Sequence, residues 1–203
     1  MPRVGVEALR KAQVIEAVRK CVAESGLHGA TVRAVAAKAG VSTGILNYYF
    51  ESREHLIEET LHDTNEQVLK TISEATIRPE NPLSKLQLLV NLALPLTPEE
   101  REINIFWVDF WAEALHSKRL REAQVERNAL WWASIEDTIR EGQKNGIFRK
   151  DADARTVTRT ISALIDGLTV HTMLDERSTP AQETRRLVME YVATALLPPD
   201  AAP

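Results

Sequence analysis

Two short apolar segments, residues 32–39 and 43–50, constrain the fold of this chain more than any other feature, because only a Gly-Val-Ser tripeptide separates them. Thr31 and Ser42 stand directly before the two segments, and both are residue types that cap helix N-termini. Upstream, a longer amphipathic pattern ends at Gly26, which is typical of a helix stop. Three helices with so short a connection between the last two predict a helix-turn-helix.

The rest of the chain continues the helical periodicity. Ser52 is predicted to cap a long fourth helix, and two clearly amphipathic helices follow near the C-terminus. Thr179 is predicted to cap the last of these, with Pro180 at its first position. Hydrophobic residues make up 44% of the chain and aromatic residues only 5%, which favours helix over strand. The sequence therefore predicts an all-α chain in which a three-helix head is joined by a long helix to a helical body.

Several classes of function find no support in the residues. Cys21 is the single cysteine, so an intramolecular disulfide is excluded and a reducing compartment is expected. The start lacks the apolar core of a signal peptide, and no later run approaches a membrane span, which predicts a cytoplasmic protein. The five histidines lack metal-ligand spacing, and no HExxH, CxxC, Walker or GxSxG motif occurs. We expect no metal, no cofactor and no enzymatic activity.

Charge divides the chain into two parts. Residues 1–50 hold seven Lys and Arg against three Glu, a net charge of +4, so the remaining residues must sum to −8 for the total of −4. A basic head and an acidic body suggest two different tasks. The alternative is that the positive charge belongs to an ordinary solvated helix face.

The segment after the Gly-Val-Ser turn has the residue types expected of a helix that reads DNA. The second helix of a helix-turn-helix enters the major groove with its N-terminal residues facing the base edges. Small hydroxyl residues begin the segment, a glycine allows close approach, and an asparagine amide can pair with adenine through two hydrogen bonds. The residues predicted to face the bases are Ser42, Thr43, Gly44, Asn47 and Tyr48.

Phosphate contacts are expected from residues that flank this segment. Thr31 stands at a helix N-terminus, where free N–H groups favour an anion. Arg33, Tyr49 and Arg53 can donate to phosphate oxygens, and Lys38 can add long-range attraction. The alternative for Tyr48 and Tyr49 is that they pack as half-buried aromatic residues between the third and fourth helices.

The stretch TVRAVAAKAGVSTGILNYYFESREHLI resembles the DNA-binding signature of the TetR family of bacterial transcriptional regulators. The resemblance is carried by Thr31, Ala36, Ala39-Gly40-Val41-Ser42, Gly44, Tyr49-Phe50, Ser52, Glu54 and Leu56. Arg53 replaces the lysine usual in that signature, and Asn47-Tyr48 departs from the aromatic or histidine residues common there. The resemblance implies a DNA-binding domain over residues 8–68 and a ligand-binding and dimerisation domain over residues 69–197.

Members of that family bind DNA as homodimers joined by their last two helices. Gly167 in the middle of a predicted helix is independently consistent with this, because close approach of a partner helix is a physical reason to tolerate a mid-helix glycine. The alternative is that Gly167 touches only its own core. The predicted interface residues are Ile161, Leu164, Gly167, Leu168, Leu187 and Tyr191.

The four tryptophans fall in two predicted helices. The region from FWAEALH to ALIDGL also resembles the BetI branch of the family, whose repressors respond to choline. That resemblance implies an aromatic box for a quaternary ammonium cation, with Asp109, Glu113 or Asp166 as a nearby carboxylate. The predicted pocket residues are Trp107, Phe110, Trp111, Trp131 and Asp166. The alternative is that these aromatic residues form core, since Trp131 and Trp132 are adjacent and point about 100° apart.

The combined expectation is a homodimeric regulator, with repression as the usual family behaviour. It would bind a palindromic operator and be released by a small-molecule effector, in this case a hydrophobic or quaternary-ammonium cation. The alternative is an all-α small-molecule-binding module or enzyme in which the basic head is incidental.

Overall fold

The computed structural model describes residues 3–76 and 81–198, and within those ranges it contains helices and no strands. The all-α prediction is therefore confirmed for the described part of the chain. The helices are α1 Arg3–Gly29, α2 Val32–Ala39, α3 Thr43–Tyr49, α4 Arg53–Thr76, α5 Pro82–Leu92, α6 Pro98–Ala114, α7 Lys118–Lys144, α8 Ala154–Leu174 and α9 Ala181–Leu196. None of the described helices combines the length and hydropathy that a bilayer span requires.

The start and stop signals of the first three helices are confirmed in detail. Gly26 leaves the helical conformation at φ 70° and ψ 171°, which breaks α1 shortly before its end. The Thr31 side chain accepts a hydrogen bond from the N–H of Ala34, and Gly40 ends α2 in the left-handed region at φ 65°. The Ser42 side chain caps α3 by accepting from the N–H of Ile45. The two short helices thus begin and end where the sequence predicts.

Contacts group the chain into two compact units. Unit 1 consists of Met1–Gln67 and Ile105–Gln124, and unit 2 of Val68–Asn104 and Val125–Pro203. The segment Ile105–Gln124 therefore belongs with the N-terminal helices by its contacts, which a boundary at residue 68 does not anticipate. The division into domains at residues 8–68 and 69–197 stays a prediction.

Unit 1 is built on apolar residues from each of its helices. Those with at most 4% exposure are Val14, Ile15, Ala17, Val18, Cys21, Val22, Leu27, Ala30, Val35, Ala36, Ala39, Leu46, Phe50, Leu56, Ile57, Leu61, Phe106, Phe110 and Leu120. Burial of a Val, Leu, Ile or Phe side chain stabilises the fold by about 1.5–3 kcal/mol. The α2 and α3 helices are short, so their position depends on this core and on their caps more than on their own hydrogen bonds.

Unit 2 has a separate core formed by α5, α7, α8 and α9. Its buried members include Leu86, Leu89, Val90, Leu94, Ile135, Ile139, Phe148, Val157, Ile161, Ile165, Val188, Val192 and Leu196. Gly142 in α7 is required by this packing, since a Cβ there would lie 2.0 Å from Cδ2 of Phe148. After the turn that follows α7, the Arg149 N–H donates to the Leu196 carbonyl oxygen at 2.8 Å, which ties that turn to the end of α9.

One predicted helix boundary is wrong. The last helix begins at Ala181, its N-cap is Pro180 rather than Thr179, and it has no side-chain cap. Proline fixes φ near −65° and lacks an N–H, so it fits the cap position of a helix as well as the first helical position. At the start of α6, Thr97 and Glu100 form a reciprocal capping box at 3.2 and 2.8 Å, which was not among the predicted caps.

Candidate nucleic-acid interface and effector-binding residues

The α3 helix exposes one polar, uncharged face. Thr43, Gly44, Asn47 and Tyr48 are all exposed and recur at helical spacing on one side of α3. Leu46 at 1% exposure and Phe50 at 4% hold the opposite side in the core of unit 1. We call the four exposed residues the reading face, because this is the geometry that presents side chains to base edges in the major groove.

The two tyrosines of α3 have different environments. Tyr48 is 79% exposed, whereas Tyr49 is half-buried. Their rings meet edge to face, with centroids 5.1 Å apart and an interplanar angle of 82°. Such pairs add about 0.5–1.5 kcal/mol beyond burial, so Tyr49 restricts where the Tyr48 ring can point. The alternative that both tyrosines are half-buried applies to Tyr49 alone.

The N-terminus of α2 presents groups suited to an anion. Thr31 and Arg33 are exposed there, and the first N–H groups of a helix attract negative charge. Lys38 lies at the other end of the same helix and is engaged, because its ammonium donates to the Glu24 carboxylate at 2.6 Å. That bond raises the pKa of Lys38 and offsets its attraction for phosphate.

Arg53 is engaged within unit 1. Its guanidinium donates to the carbonyl oxygen of Leu27 and lies 3.5 Å from the Glu113 carboxylate. These partners compete with DNA for the Arg53 donors, so the sequence-based assignment of Arg53 to a phosphate has no support in the geometry. Arg53 instead holds the last turn of α1, which follows the break at Gly26.

The same turn is held from its other side by α6. The Asp109 carboxylate accepts from the N–H of Leu27 at 2.9 Å, immediately after the left-handed Gly26. A Cβ on Gly26 would lie 3.3 Å from the same carboxylate oxygen. The backbone of Leu27, which leads into the helix-turn-helix, is therefore fixed at its N–H by Asp109 and at its carbonyl by Arg53.

Asp109 and Glu113 are spaced i, i+4 on α6 and are two of the carboxylates that the sequence offers for a cation. The structure gives them other partners in unit 1, since Glu113 lies beside Arg53 and 3.9 Å from the exposed His28. The sequence carries no signal that these carboxylates bind residues of α1 and α4, because such partners are distant along the chain. Asp109 and Leu27, for example, are 82 residues apart.

The aromatic residues of α6 form a cluster in unit 1. Phe106, Trp107 and Phe110 have ring centroids 5.7–6.4 Å apart. Phe110 is completely buried and Trp107 is 8% exposed, whereas Trp111 is half-buried. Phe110, which the sequence predicts as a pocket residue, has no exposed surface in this structure and packs in the core of unit 1.

The second pair of tryptophans lies on α7 in unit 2. Trp131 packs partly buried against the core of that unit. The Arg159 guanidinium lies over the Trp132 ring, 3.1 Å from its centroid, so a cation of the protein already occupies that face. The two indoles thus have separate partners, as their spacing on the helix predicts.

Asp166 on α8 is the carboxylate in unit 2 that the sequence predicts for the pocket. Asp166 is exposed as a residue, yet desolvation of its carboxyl group raises the pKa of Asp166 to about 6, and the Arg127 guanidinium opposes that rise. Desolvation likewise lowers the pKa of Arg127 to about 10. Strong shifts from desolvation in neighbouring groups are typical of a binding site.

Three hydroxyls on the buried side of α8 have no hydrogen-bond partner among the described residues. Thr158, Ser162 and Thr169 recur on one side of the helix with at most 5% exposure, and their oxygens make no hydrogen bond within the described part of the structure. An unpaired buried hydroxyl costs about 1–3 kcal/mol, so a bound polar molecule would gain by pairing with it. The sequence does not single out these hydroxyls, since serines and threonines on a helix carry no such signal.

The predicted interface residues of α8 and α9 differ in how far their side chains are buried. Leu164, Leu168, Leu187 and Tyr191 are half-buried, and Gly167 is exposed, with no neighbouring atom within 4 Å of the point that a Cβ would occupy. Ile161 is 1% exposed and belongs to the core of unit 2. The Ile161 side chain is thus buried within the protomer, which leaves it little surface to offer a partner subunit.

Known proteins resemble this chain over nearly its whole length. Residues 14–60 match the family of bacterial regulatory proteins called the tetR family, and residues 82–197 match the C-terminal domain of BetI-type transcriptional repressors. The transcriptional regulator BetI of Vibrio atlanticus is 28% identical over 95% of this chain and 94% of its own length. BetI 2 of Chromohalobacter salexigens is 29% identical over 95% of this chain and 91% of its own.

Solved structures share the fold. A transcriptional regulator from Saccharomonospora viridis, crystallised in complex with choline, superposes with a TM-score of 0.87 at 24% identity, covering 94% of this chain and 99% of that one. A TetR-family regulator from Rhodococcus gives a TM-score of 0.82 at 25% identity over 92% and 98% of the two chains. With its capped helix-turn-helix and its matched C-terminal region, this chain belongs to the TetR family of DNA-binding transcriptional regulators, with a C-terminal domain of the BetI repressor type.

Proposed function

We propose that this regulator binds a palindromic operator as a homodimer, with the reading face of each protomer in a major groove. The observation that carries the proposal is the exposure of Thr43, Gly44, Asn47 and Tyr48 together on one side of a capped helix. A twofold-symmetric dimer requires two half-sites about one helical turn, or a multiple of it, apart.

Phosphate contacts are assigned to the residues around the reading face. Thr31 and Arg33 at the start of α2 and Tyr49 on α3 supply donors, and Ser42 lies at the entry to the groove. Arg53 is reassigned from phosphate binding to holding the turn before α2, because its guanidinium is engaged by Leu27 and Glu113.

The homodimer is proposed to form through the exposed side of α8 and the adjoining side of α9. Leu164, Gly167, Leu168, Leu187 and Tyr191 are the candidate contacts, with Ile161 removed from the set. Half-buried apolar side chains beside an exposed mid-helix glycine favour a partner helix at this surface.

The effector is proposed to carry a quaternary ammonium group, as choline does. Support comes from the BetI relatives, from the choline bound by the Saccharomonospora neighbour and from the Asp166 carboxylate in unit 2. Within unit 2, Trp131 remains a candidate contact. The effector must bind the form that does not hold DNA more tightly than the form that does, because only a difference in affinity shifts the equilibrium.

Operator binding is tested by fluorescence anisotropy with DNA from upstream of the regulator's own gene. We expect the affinity for a palindrome from this DNA to exceed that for unrelated DNA of equal length by about 10³-fold or more. Equal affinity for both DNAs would contradict the proposal. Addition of choline is expected to weaken operator binding and not binding to unrelated DNA.

The cation is tested by titrating tryptophan fluorescence with choline and with 3,3-dimethylbutanol, its neutral isostere. Asp166 is neutral below pH about 6 and ionised above it, so we expect choline affinity to rise as the pH passes through about 6. The Asp166→Asn variant is expected to lose this pH dependence. Equal affinities for the cation and its isostere at pH 8 would exclude a cationic effector.

A further inference from the structure

The reading face carries hydrogen-bonding and apolar groups but no cation. Residues 40–50 contain no charged side chain, so none of Thr43, Gly44, Asn47 and Tyr48 can supply the most common contact to guanine, which is a bidentate arginine or lysine. A guanine edge presents two acceptors, O6 and N7, and is read best by two donors from one group. The reading face has no such group.

Neighbouring cations do not make up for this. Lys38 is bound to Glu24, and Arg53 is bound to the Leu27 carbonyl and lies beside Glu113. Arg33 is exposed but lies in α2, the first helix of the motif, which crosses the DNA backbone rather than entering the groove. Its chemistry therefore suits phosphate, and base discrimination depends on the neutral groups of α3.

Those neutral groups match the edges of A·T pairs. The Asn47 amide offers one donor and one acceptor, which is the complement of the adenine N7 acceptor and N6 donor. The Tyr48 ring is 79% exposed and oriented by its edge-to-face contact with Tyr49, and it presents an apolar surface of the kind that contacts the thymine methyl group. The Thr43 methyl group offers a second contact of the same type.

We propose that the base pairs read by α3 in each half-site are A·T pairs, with Asn47 recognising adenine and Tyr48 recognising a thymine methyl group. This inference rests on the proposed operator-binding function and specifies its DNA partner. It requires that binding weakens when a G·C pair replaces an A·T pair at a position that α3 contacts, and when the contacted thymine loses its methyl group.

The first experiment selects half-sites from a randomised palindromic library with the full-length protein. A·T pairs are expected at the positions protected by α3, and a G·C pair at the Asn47 position is expected to weaken binding by about tenfold to a hundredfold. Selection of guanine at these positions would overturn the inference and leave the regulator function intact. Failure to select any sequence would instead contradict the proposed function.

The second experiment changes the specificity. Asn47→Arg supplies two donors from one group and is expected to shift the preferred base at its position from adenine to guanine. Asn145→Arg makes the same substitution at an exposed position of unit 2 and controls for the added positive charge. The control can only raise the affinity for all sequences alike through its added charge. If Asn47→Arg had that same effect and no change of preferred base, Asn47 would not read a base.

The third experiment removes one methyl group from the DNA. Replacing the contacted thymine by uracil is expected to weaken binding of the original protein severalfold and to leave the Tyr48→Ala variant unaffected, since that variant has no ring to lose a contact. If uracil weakened binding of both proteins equally, Tyr48 would not be the residue that contacts the methyl group. Tyr48 is highly exposed, so its truncation leaves the core of unit 1 intact, and circular dichroism confirms folding.

Discussion

Single residues that hold the last turn of α1 determine how the helix-turn-helix begins. Asp109 accepts from the Leu27 N–H and Arg53 donates to the Leu27 carbonyl, so one peptide segment is held by two side chains from distant parts of the sequence. Leu27 itself is 3% exposed. A buried N–H that loses its acceptor costs more than an exposed one, because water cannot replace the lost partner.

We expect Asp109→Ala to lower the free energy of unfolding by about 1–3 kcal/mol, the cost of an unpaired buried donor. Operator affinity should fall with it, since the turn that positions α2 and α3 loses one of its two fixed points. Urea unfolding and anisotropy measure the two effects. The control is Asp137→Ala, at an exposed position of α7. Equal stabilities of the two variants would show that the Asp109 bond contributes nothing.

Gly26 and Gly146 form a matched pair for testing this turn. Both have positive φ, 70° and 72°, so alanine is strained at either position. The ψ of Gly26, 171°, lies outside the left-handed helical region as well, which adds to the strain there. Only at Gly26 does the added Cβ approach another group, the Asp109 oxygen at 3.3 Å, whereas nothing lies within 4 Å at Gly146. We expect Gly26→Ala to destabilise more than Gly146→Ala in urea unfolding. An equal loss of stability in the two variants would show that neither the ψ of Gly26 nor the Asp109 contact adds to the strain of the alanine.

At the scale of helices, the sequence predicted the starts and stops that depend on neighbouring residues. Thr31, Ser42 and Gly40 act on residues within five positions of themselves, and each occupies the role that its sequence context predicts. The last helix was misplaced by one residue because proline fits both the cap and the first position. The partners of Arg53 could not be predicted, since they depend on packing between segments 26 and 60 positions away.

The cap of α8 gives the element-scale prediction. The Asp153 carboxylate accepts from the Thr156 side chain and from its N–H at 2.7 Å, and these bonds lower the pKa of Asp153 in the folded chain. A lowered folded pKa stabilises the protein above the ordinary aspartate range, and that stabilisation is lost as the pH falls through the lowered value.

Asp153→Asn keeps a capping oxygen but removes the charge. We therefore expect the variant to have a lower urea midpoint than the original at pH 7, with the difference shrinking below pH about 4 as the aspartate protonates. Parallel urea titrations at pH 3, 5 and 7 measure it. A difference that stays constant across this range would mean that the charge of Asp153 does not contribute.

For the whole molecule, the sequence could not predict which side of α8 is buried in its own protomer and which side is available to a partner subunit. Its apolar stripe is wide, and Ile161 and Leu164 are both plausible core or interface residues from periodicity alone. The structure buries Ile161 in unit 2 and leaves Gly167 exposed, so the distinction comes from tertiary packing. The same limit applied to Phe110, which has the spacing of a pocket residue and the burial of a core residue.

Gly167 now tests the proposed dimer directly. Nothing lies near its Cβ position, so Gly167→Leu is accommodated by the protomer and gains about 1 kcal/mol of helix propensity. If α8 packs closely against a partner helix, the same leucine must clash with it. We expect the variant to keep its helical circular dichroism, to sediment as a monomer, and to lose operator affinity. Ala129→Leu, at an exposed position of α7, adds the same side chain outside the proposed interface and should remain dimeric. A Gly167→Leu protein that sediments as a dimer would move the interface away from this side of α8.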